Sequence, residues 1–240
     1  MEQMSLPKIV LVHGAFADGS SWSGVVRNLQ DAGYEVSAPA NPLRGLARDS
    51  AYLAAFLKTV EGPVVLVGHS YGGEVITNAA EGLDHVRALV YIAAIAPEAG
   101  ESANDVLGRF PGSELPEALN AVPYADVAGG EGADLYIKPE SFRPVFAADV
   151  DPATTAVLAS VQRPVAAASL SDTSAGAAWK DVSSWYLVAT QDRAIPADAQ
   201  RFMAQRAGAC TVEVDASHAV AVSRPDEVAD LVMTAAKAVG

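Results

Sequence analysis

The sequence predicts an α/β fold: a mostly parallel sheet covered by helices on both faces, interrupted once by a mainly helical insertion. Three observations carry that reading. Short apolar β-forming runs alternate with helix-length stretches along most of the chain, the rhythm of repeated βα units. The run Val64-Val-Leu-Val67 breaks directly into Gly68-His-Ser70-Tyr-Gly72, a strand-to-helix turn too sharp for side chains two residues either side of the serine. The 240 residues are 50% hydrophobic and 19% charged, which suits one globular domain with a large core.

The elements follow in order. Lys8–His13 reads as the first strand, Ser23–Ala32 as an amphipathic helix ending at Gly33, and Tyr34–Ala38 as a strand stopped by Pro39. Ser50–Val60 is a helix, Pro63–Gly68 the strand into the sharp turn, and Gly72–Ala80 the helix after it. Val86–Ala93, Ser184–Thr190 and Thr211–Asp215 are further strands, with the helix Ala197–Ala207 between the last two. Pro225–Val239 closes the chain as a helix, with Ser223 as its expected N-cap and Asp226-Glu227 in its first turn. Residues 97–179 break the rhythm: Pro and Gly are frequent, three helical patterns are short (Glu114–Ala121, Ser141–Ala147, Pro152–Ser160), and no run reads as a strand. Residues 1–96 and 180–240 are therefore expected to form the core domain, with 97–179 a cap over one edge of its sheet.

Charge and cysteine content exclude several functions. A formal net charge of −13 without basic clusters argues against nucleic acid and anionic membranes as partners. Cys210 is the single cysteine, so neither an internal disulfide nor a cysteine metal site can form, and its flanks read as a small buried hydrophobe entering a strand. No apolar run approaches bilayer length and the N-terminus lacks a signal-peptide pattern, so a cytoplasmic location is expected. No metal or cofactor motif is present, and oligomeric state, a homodimer included, is left open.

The sharp turn singles out Ser70. A serine hydroxyl is a poor nucleophile unless a base stands within hydrogen-bond reach. Of the four histidines, His13 ends the first strand, His69 precedes the serine and points away from it, and His85 lies between a helix and a strand. His218 sits in Asp215-Ala-Ser-His218-Ala, after the last strand. Loops that follow parallel strands converge on one sheet edge, which favours His218 as the base. Asp192, in the loop after the strand ending at Thr190, is the expected carboxylate partner; Asp215 and Asp172 are its rivals. A tetrahedral oxyanion would need two donors, assigned to the backbone N–H groups of Tyr71 and of Ala15, where Gly14 lets the chain turn inward. Phe16, Gly14 and Trp22 are expected to line the substrate site.

These residues together resemble the α/β-hydrolase fold serine hydrolases, over essentially the whole chain. Within them the chain is similar to the branch of plant methyl esterases and hydroxynitrile lyases, through His13-Gly-Ala15 with Gly19-Ser-Ser-Trp22, Gly68-His-Ser70-Tyr-Gly-Gly73, Gln162-Arg-Pro164, Gln191-Asp192-Arg-Ala-Ile-Pro196 and Ser217-His218-Ala. The lyases of that branch carry threonine at the position of Gly14 and lysine at that of Ala219; both are absent here. The resemblance thus implies a cofactor-free hydrolase of a small or medium uncharged carboxylic ester, with Ser70, His218 and Asp192 as its triad. The cap matches the plant enzymes poorly, so their substrates do not transfer. A ligand receptor on the same scaffold, or lactone opening, perhydrolysis or lyase chemistry at the same site, are the alternatives the residues leave open.

Overall fold

The structure is a computed structural model that describes residues 6–125 and 130–240; residues 1–5 of the expected core and 126–129 of the expected cap lie outside them. Six strands, β1 (Lys8–Val12), β2 (Val36–Ser37), β3 (Val64–His69), β4 (Val86–Ile92), β8 (Ser184–Ala189) and β9 (Cys210–Val214), form one sheet in the order β2-β1-β3-β4-β8-β9. Every neighbouring pair is parallel. The chain leaves β1 toward β2, then crosses back to β3 on the other side of β1. This reversal opens a crevice beyond the C-terminal ends of β1 and β3, where ligands bind in such sheets.

Strand alternation builds a core on each face. Val10 and Val12 of β1 and Val64 and Leu66 of β3 join one apolar cluster, while Ile9, Leu11, Val65 and Val67 join the other. The first layer is covered by α2 (Leu46–Leu57), α3 (Tyr71–Ala79) and α8 (Ala197–Arg206), through Leu53, Leu57, Val75, Ile76 and Met203. The second is covered by α1 (Ser23–Asp31), α9 (Val220–Ser223) and α10 (Pro225–Val239), through Val25, Leu29, Val220, Val228 and Val232. Each fully buried aliphatic side chain of these layers contributes about 1.5–3 kcal/mol of transfer free energy. Ser223 does not cap α10: Arg224 holds that position without a side-chain bond, and the Ser223 hydroxyl is buried with no partner among the described residues.

Residues 97–179 rise over the C-terminal edge of the sheet. They contain α4 (Ala103–Leu107), α5 (Leu115–Ala118), β5 (Leu119–Ala125), β6 (Glu131–Ile137), α6 (Pro139–Ser141) running into a π-helical turn Phe142–Phe146, α7 (Pro152–Val161) and β7 (Val165–Ala166). Helical turns make up most of the regular structure here. The three strands, however, correct the expectation of none: β5 and β6 pair antiparallel from Leu119↔Ile137 to Ala125↔Glu131, and β7 extends the sheet. β5 lies on the sheet edge and is mostly exposed, so it carries Pro123 without loss and shows no apolar alternation to read. The expected helix Glu114–Ala121 accordingly ends at Ala118. At the root of the insertion the Trp179 indole N–H donates to Pro97 O at 2.8 Å. Phe142, Val145, Phe146 and Val165 merge with the first core layer.

No helix among the described residues is long and apolar enough to cross a membrane. Cys210 is exposed, not buried, because β9 is an outer strand of the main sheet.

Candidate active site

Every segment expected to carry chemistry ends at the same sheet edge. Ser70 follows β3, the loop with Gly14 and Ala15 follows β1, Asp192 follows β8, and His218 follows β9. Ser70 is held at φ +54° and ψ −127°, a backbone region that costs a side-chain-bearing residue on the order of 1–3 kcal/mol. The turn leaves no room around it. A Cβ on Gly72 would lie 2.4 Å from Val12 O, and one on Gly14 would lie 2.6 Å from Ser70 Cβ and 2.8 Å from His69 O. Glycine at these two positions is what lets the β1 loop close on the serine.

Ser70 Oγ lies 2.8 Å from His218 Nε2, and His218 Nδ1 lies 2.6 Å from Asp192 Oδ2. A carboxylate only accepts, so Nδ1 carries the ring proton and Nε2 is free to accept from the serine hydroxyl. The imidazole and carboxylate side chains are 1% and 0% exposed. Asp192 is held from all sides: Oδ1 accepts from Ala194 N at 2.7 Å and Ile195 N at 2.9 Å, and Oδ2 also accepts from Gln200 Nε2 at 2.9 Å. With its lone pairs occupied, the buried carboxylate is held aimed at the ring.

The backbone and ring of His218 are equally constrained. His69 Nε2–H donates to His218 O at 2.8 Å, and Ala219 N–H donates to Phe146 O at 2.9 Å. The rings of His69 and Phe146 stand 4.8 and 4.9 Å from the His218 ring. Burial, and secondarily the neighbouring His218, push the His69 pKa down to about 3, so His69 is a neutral support. Ser217 donates a short hydrogen bond to Asp149, which ties the loop of His218 to the insertion.

Ala15 and Tyr71 both border the cavity that contains Ser70. Phe16 N–H is taken by Arg163 O at 3.0 Å, whereas neither the Ala15 nor the Tyr71 N–H finds a protein acceptor among the described residues. The Tyr71 hydroxyl donates to Asp49 Oδ2 at 2.9 Å, and Asp49 also accepts from Arg44 N. That cavity has a volume of about 410 Å³. Among the described residues no charged side chain borders it; Leu107, Leu119, Leu135, Leu170 and Ile195 make much of its wall. Phe16 borders it as well. Trp22 and Gly14 do not, which corrects their expected place on its wall; Gly14 packs instead against Ser70 and His69. The turn Gly19–Trp22 folds the indole into the second core layer at 0% exposure, edge-on to His69 with ring centroids 6.2 Å apart.

The rival groups have other partners. His13 donates from Nδ1 to Gly14 O and accepts Asn41 N–H at Nε2, and burial lowers its pKa, so it latches the β1 loop as a neutral ring. His85 donates to Leu57 O. Asp172 accepts Leu46 N–H at the start of α2, and among the described residues Asp215 meets only the Thr190 hydroxyl, at 3.4 Å. Gln200 and Asp49 are the residues that sequence reasoning missed. A signal existed for Gln200: it is a polar residue among Ala199, Met203 and Ala204 on the buried face of α8. Among the described residues no three His, Cys, Asp or Glu side chains are grouped to hold a metal ion.

The alpha/beta hydrolase family model matches residues 9–231. The chain belongs to that family. It is 29% identical over 256 residues to the alpha/beta hydrolase nvfD of Aspergillus novofumigatus, covering 97% of this chain and 98% of that protein. It is 29% identical over 251 residues to a pyrethroid hydrolase of Sphingobium wenxiniae, covering 95% and 87%. Polyneuridine aldehyde esterase superimposes with a TM-score of 0.83 at 20% identity, over 96% of this chain and 99% of that one. At that identity the match speaks to the fold, which is shared from end to end.

Proposed function

We propose that this member of the alpha/beta hydrolase family hydrolyses uncharged carboxylic esters through an acyl-enzyme on Ser70. One observation carries the reading: the unbroken chain from Ser70 Oγ through His218 to Asp192, at 2.8 and 2.6 Å. Ser70 Oγ bonds to the ester carbonyl carbon while its proton moves to His218 Nε2. Asp192 holds the ring's tautomer and stabilises the imidazolium. The oxyanion is received by the N–H groups of Ala15 and Tyr71, the latter at the positive end of α3; one such donor is worth about 2.7–4 kcal/mol of barrier. The carbon–oxygen bond to the alcohol then breaks, and the alkoxide takes the proton from His218. Water repeats the sequence on the acyl-enzyme, with His218 as base, releasing the acid and the free serine.

The apolar, uncharged wall of the 410 Å³ cavity supports an uncharged ester. A hydrolase reading also agrees with what related family members are named for, the pyrethroid hydrolase among them. The deciding experiment pairs a fluorophosphonate label with p-nitrophenyl butyrate turnover. Wild type is expected to label at Ser70 and to turn over, and Ser70→Ala to lose about 10⁴-fold or more in kcat while melting normally. Near-normal turnover by Ser70→Ala, or absence of both label and turnover in wild type, would end the proposal.

A further inference from the structure

Phe16 occupies an unusual position for a bulky residue. Its backbone sits at φ +62°, a left-handed conformation that an aromatic residue rarely adopts. The strain is held from the insertion: Arg163 O takes the Phe16 N–H at 3.0 Å, and the Phe146 ring meets the Phe16 ring edge-on at 6.3 Å and 89°. Gln162, next in line to Arg163, is itself fixed to both the N–H and the C=O of Ile137 at the end of β6. The Gln162-Arg163-Pro164 run that marks the branch thus braces the loop carrying Ala15 and Phe16.

The ring so positioned borders two cavities. On one side lies the 410 Å³ cavity with Ser70, Ala15 and Tyr71. On the other lies a narrow cleft of about 30 Å³ bordered by His69, Phe142, Phe146, Gln162 and Ala219, room for only about two or three water-sized groups. Ala15 and Tyr71 belong to the large cavity, whereas the cleft is bordered by His69 and Phe146, whose rings pack against His218, and by Ala219, the residue after it. In ester cleavage the acyl half stays with the serine and the oxyanion donors. The alcohol half departs toward the imidazole that protonates it. The two halves therefore have different destinations, and Phe16 is a residue that borders both cavities.

We infer that Phe16 is a specificity-determining residue: its ring divides the acyl cavity from the alcohol cleft and limits the size of the alcohol. The inference rests on the esterase reading of the site. Removing the ring joins cleft and cavity, so bulky alcohols gain access while acyl selection, set by the leucine-lined wall beyond Ser70, changes little.

The test compares wild type, Phe16→Gly and Phe16→Leu on two ester pairs followed by pH-stat. Ethyl and benzyl hexanoate vary the alcohol; ethyl butyrate and ethyl decanoate vary the acyl chain. In Phe16→Gly, which suits the left-handed backbone, the benzyl-to-ethyl ratio of kcat/KM is expected to rise by about tenfold or more, the scale of one well-filled apolar subsite. The decanoate-to-butyrate ratio should move by less than about threefold, and Phe16→Leu should give an intermediate alcohol ratio. An alcohol ratio unchanged in both variants, or a shift confined to the acyl ratio, overturns the division of halves while leaving the esterase reading intact. Phe16→Leu alone decides the matter if the glycine variant does not fold. A wild type that neither labels with fluorophosphonate nor cleaves any of these esters overturns the esterase reading itself, and this inference with it.

Discussion

Gln200 Nε2 donates to Asp192 Oδ2 at 2.9 Å, the same oxygen that receives His218 Nδ1–H at 2.6 Å. The amide also donates to Ile195 O at 2.8 Å and accepts Ala189 N–H at 3.0 Å, and the residue is 0% exposed. Gln200 thus joins the end of β8 to the loop of Asp192 and fixes the carboxylate from behind. Gln200→Leu keeps the volume but leaves the Ala189 N–H and Ile195 O buried and unpaired, at a cost of about 1–3 kcal/mol each before relaxation. The variant should melt several degrees lower, and on the proposed mechanism its kcat should fall by about tenfold or more with KM nearly constant, because the lost interaction aims the carboxylate behind His218 and touches no substrate. Steady-state kinetics with a thermal melt checks both parts.

Gly14 makes a sharper prediction. In Gly14→Ala the new methyl would lie 2.6 Å from Ser70 Cβ and 2.8 Å from His69 O. Neither neighbour can yield easily, since Ser70 is already at a strained φ and His69 O belongs to the central strand. The loop with Ala15 must then retreat from the serine. Overpacking of this kind costs about 1–3 kcal/mol of stability, and on the proposed mechanism displacement of the Ala15 N–H from the oxyanion should lower kcat by about 10²–10³-fold. Fluorophosphonate labelling should slow in parallel, since that reagent also places an oxygen in the same hole.

The parts of this site that were legible in the sequence are the ones fixed locally. Ser70 is announced by glycines that its own turn demands, and His218 and Asp192 by their places directly after strands. Asp49 was not legible, and Gln200 only as a polar residue on an apolar helix face, because tertiary packing alone decides what such a side chain meets. Trp22 and Phe16 illustrate the same boundary. Both are aromatic residues near a glycine-rich loop, yet a single 3-10 turn sends one into the core and leaves the other at the cavity. β5 is not legible because an exposed edge strand needs no apolar alternation and Pro123 hides its β character; β6, half-buried between β5 and β7, opens on Glu131-Gly-Ala-Asp134, which carries little β propensity.

His69 ties stability to acid. Its pKa is about 3 in the fold against 6.5 for an unhindered imidazole. The unfolded chain therefore binds a proton below pH 6.5 that the folded protein refuses until near pH 3. The stabilisation is full above the higher value and is lost as pH falls through that window. His69→Gln can still offer an amide N–H to His218 O but cannot titrate. Its melting temperature should sit below wild type at pH 8, and the gap should narrow steadily toward pH 4. A gap that stays constant across that range would mean the buried ring does not resist protonation.

Glu74 has the opposite sign. It lies in α3, 0% exposed, and neither carboxyl oxygen finds a hydrogen-bond partner among the described residues. Burial first, and the charge of Asp172 second, raise its pKa well above the usual 4.5. Here the folded protein holds a proton that the unfolded chain has already released. Stability is therefore greatest below the unfolded value and declines as pH rises toward the folded one. Glu74→Gln preserves the shape of the protonated acid and removes its titration. The variant should melt close to wild type at pH 5 and progressively higher than wild type as pH rises from there. Since Glu74 sits one turn of α3 beyond the serine, a further consequence can be read from the same protein. If the acid is neutral in the working enzyme, Glu74→Gln should keep kcat/KM within about twofold of wild type at pH 7. A large loss of activity with unchanged melting would instead assign Glu74 a charge that the serine's helix needs.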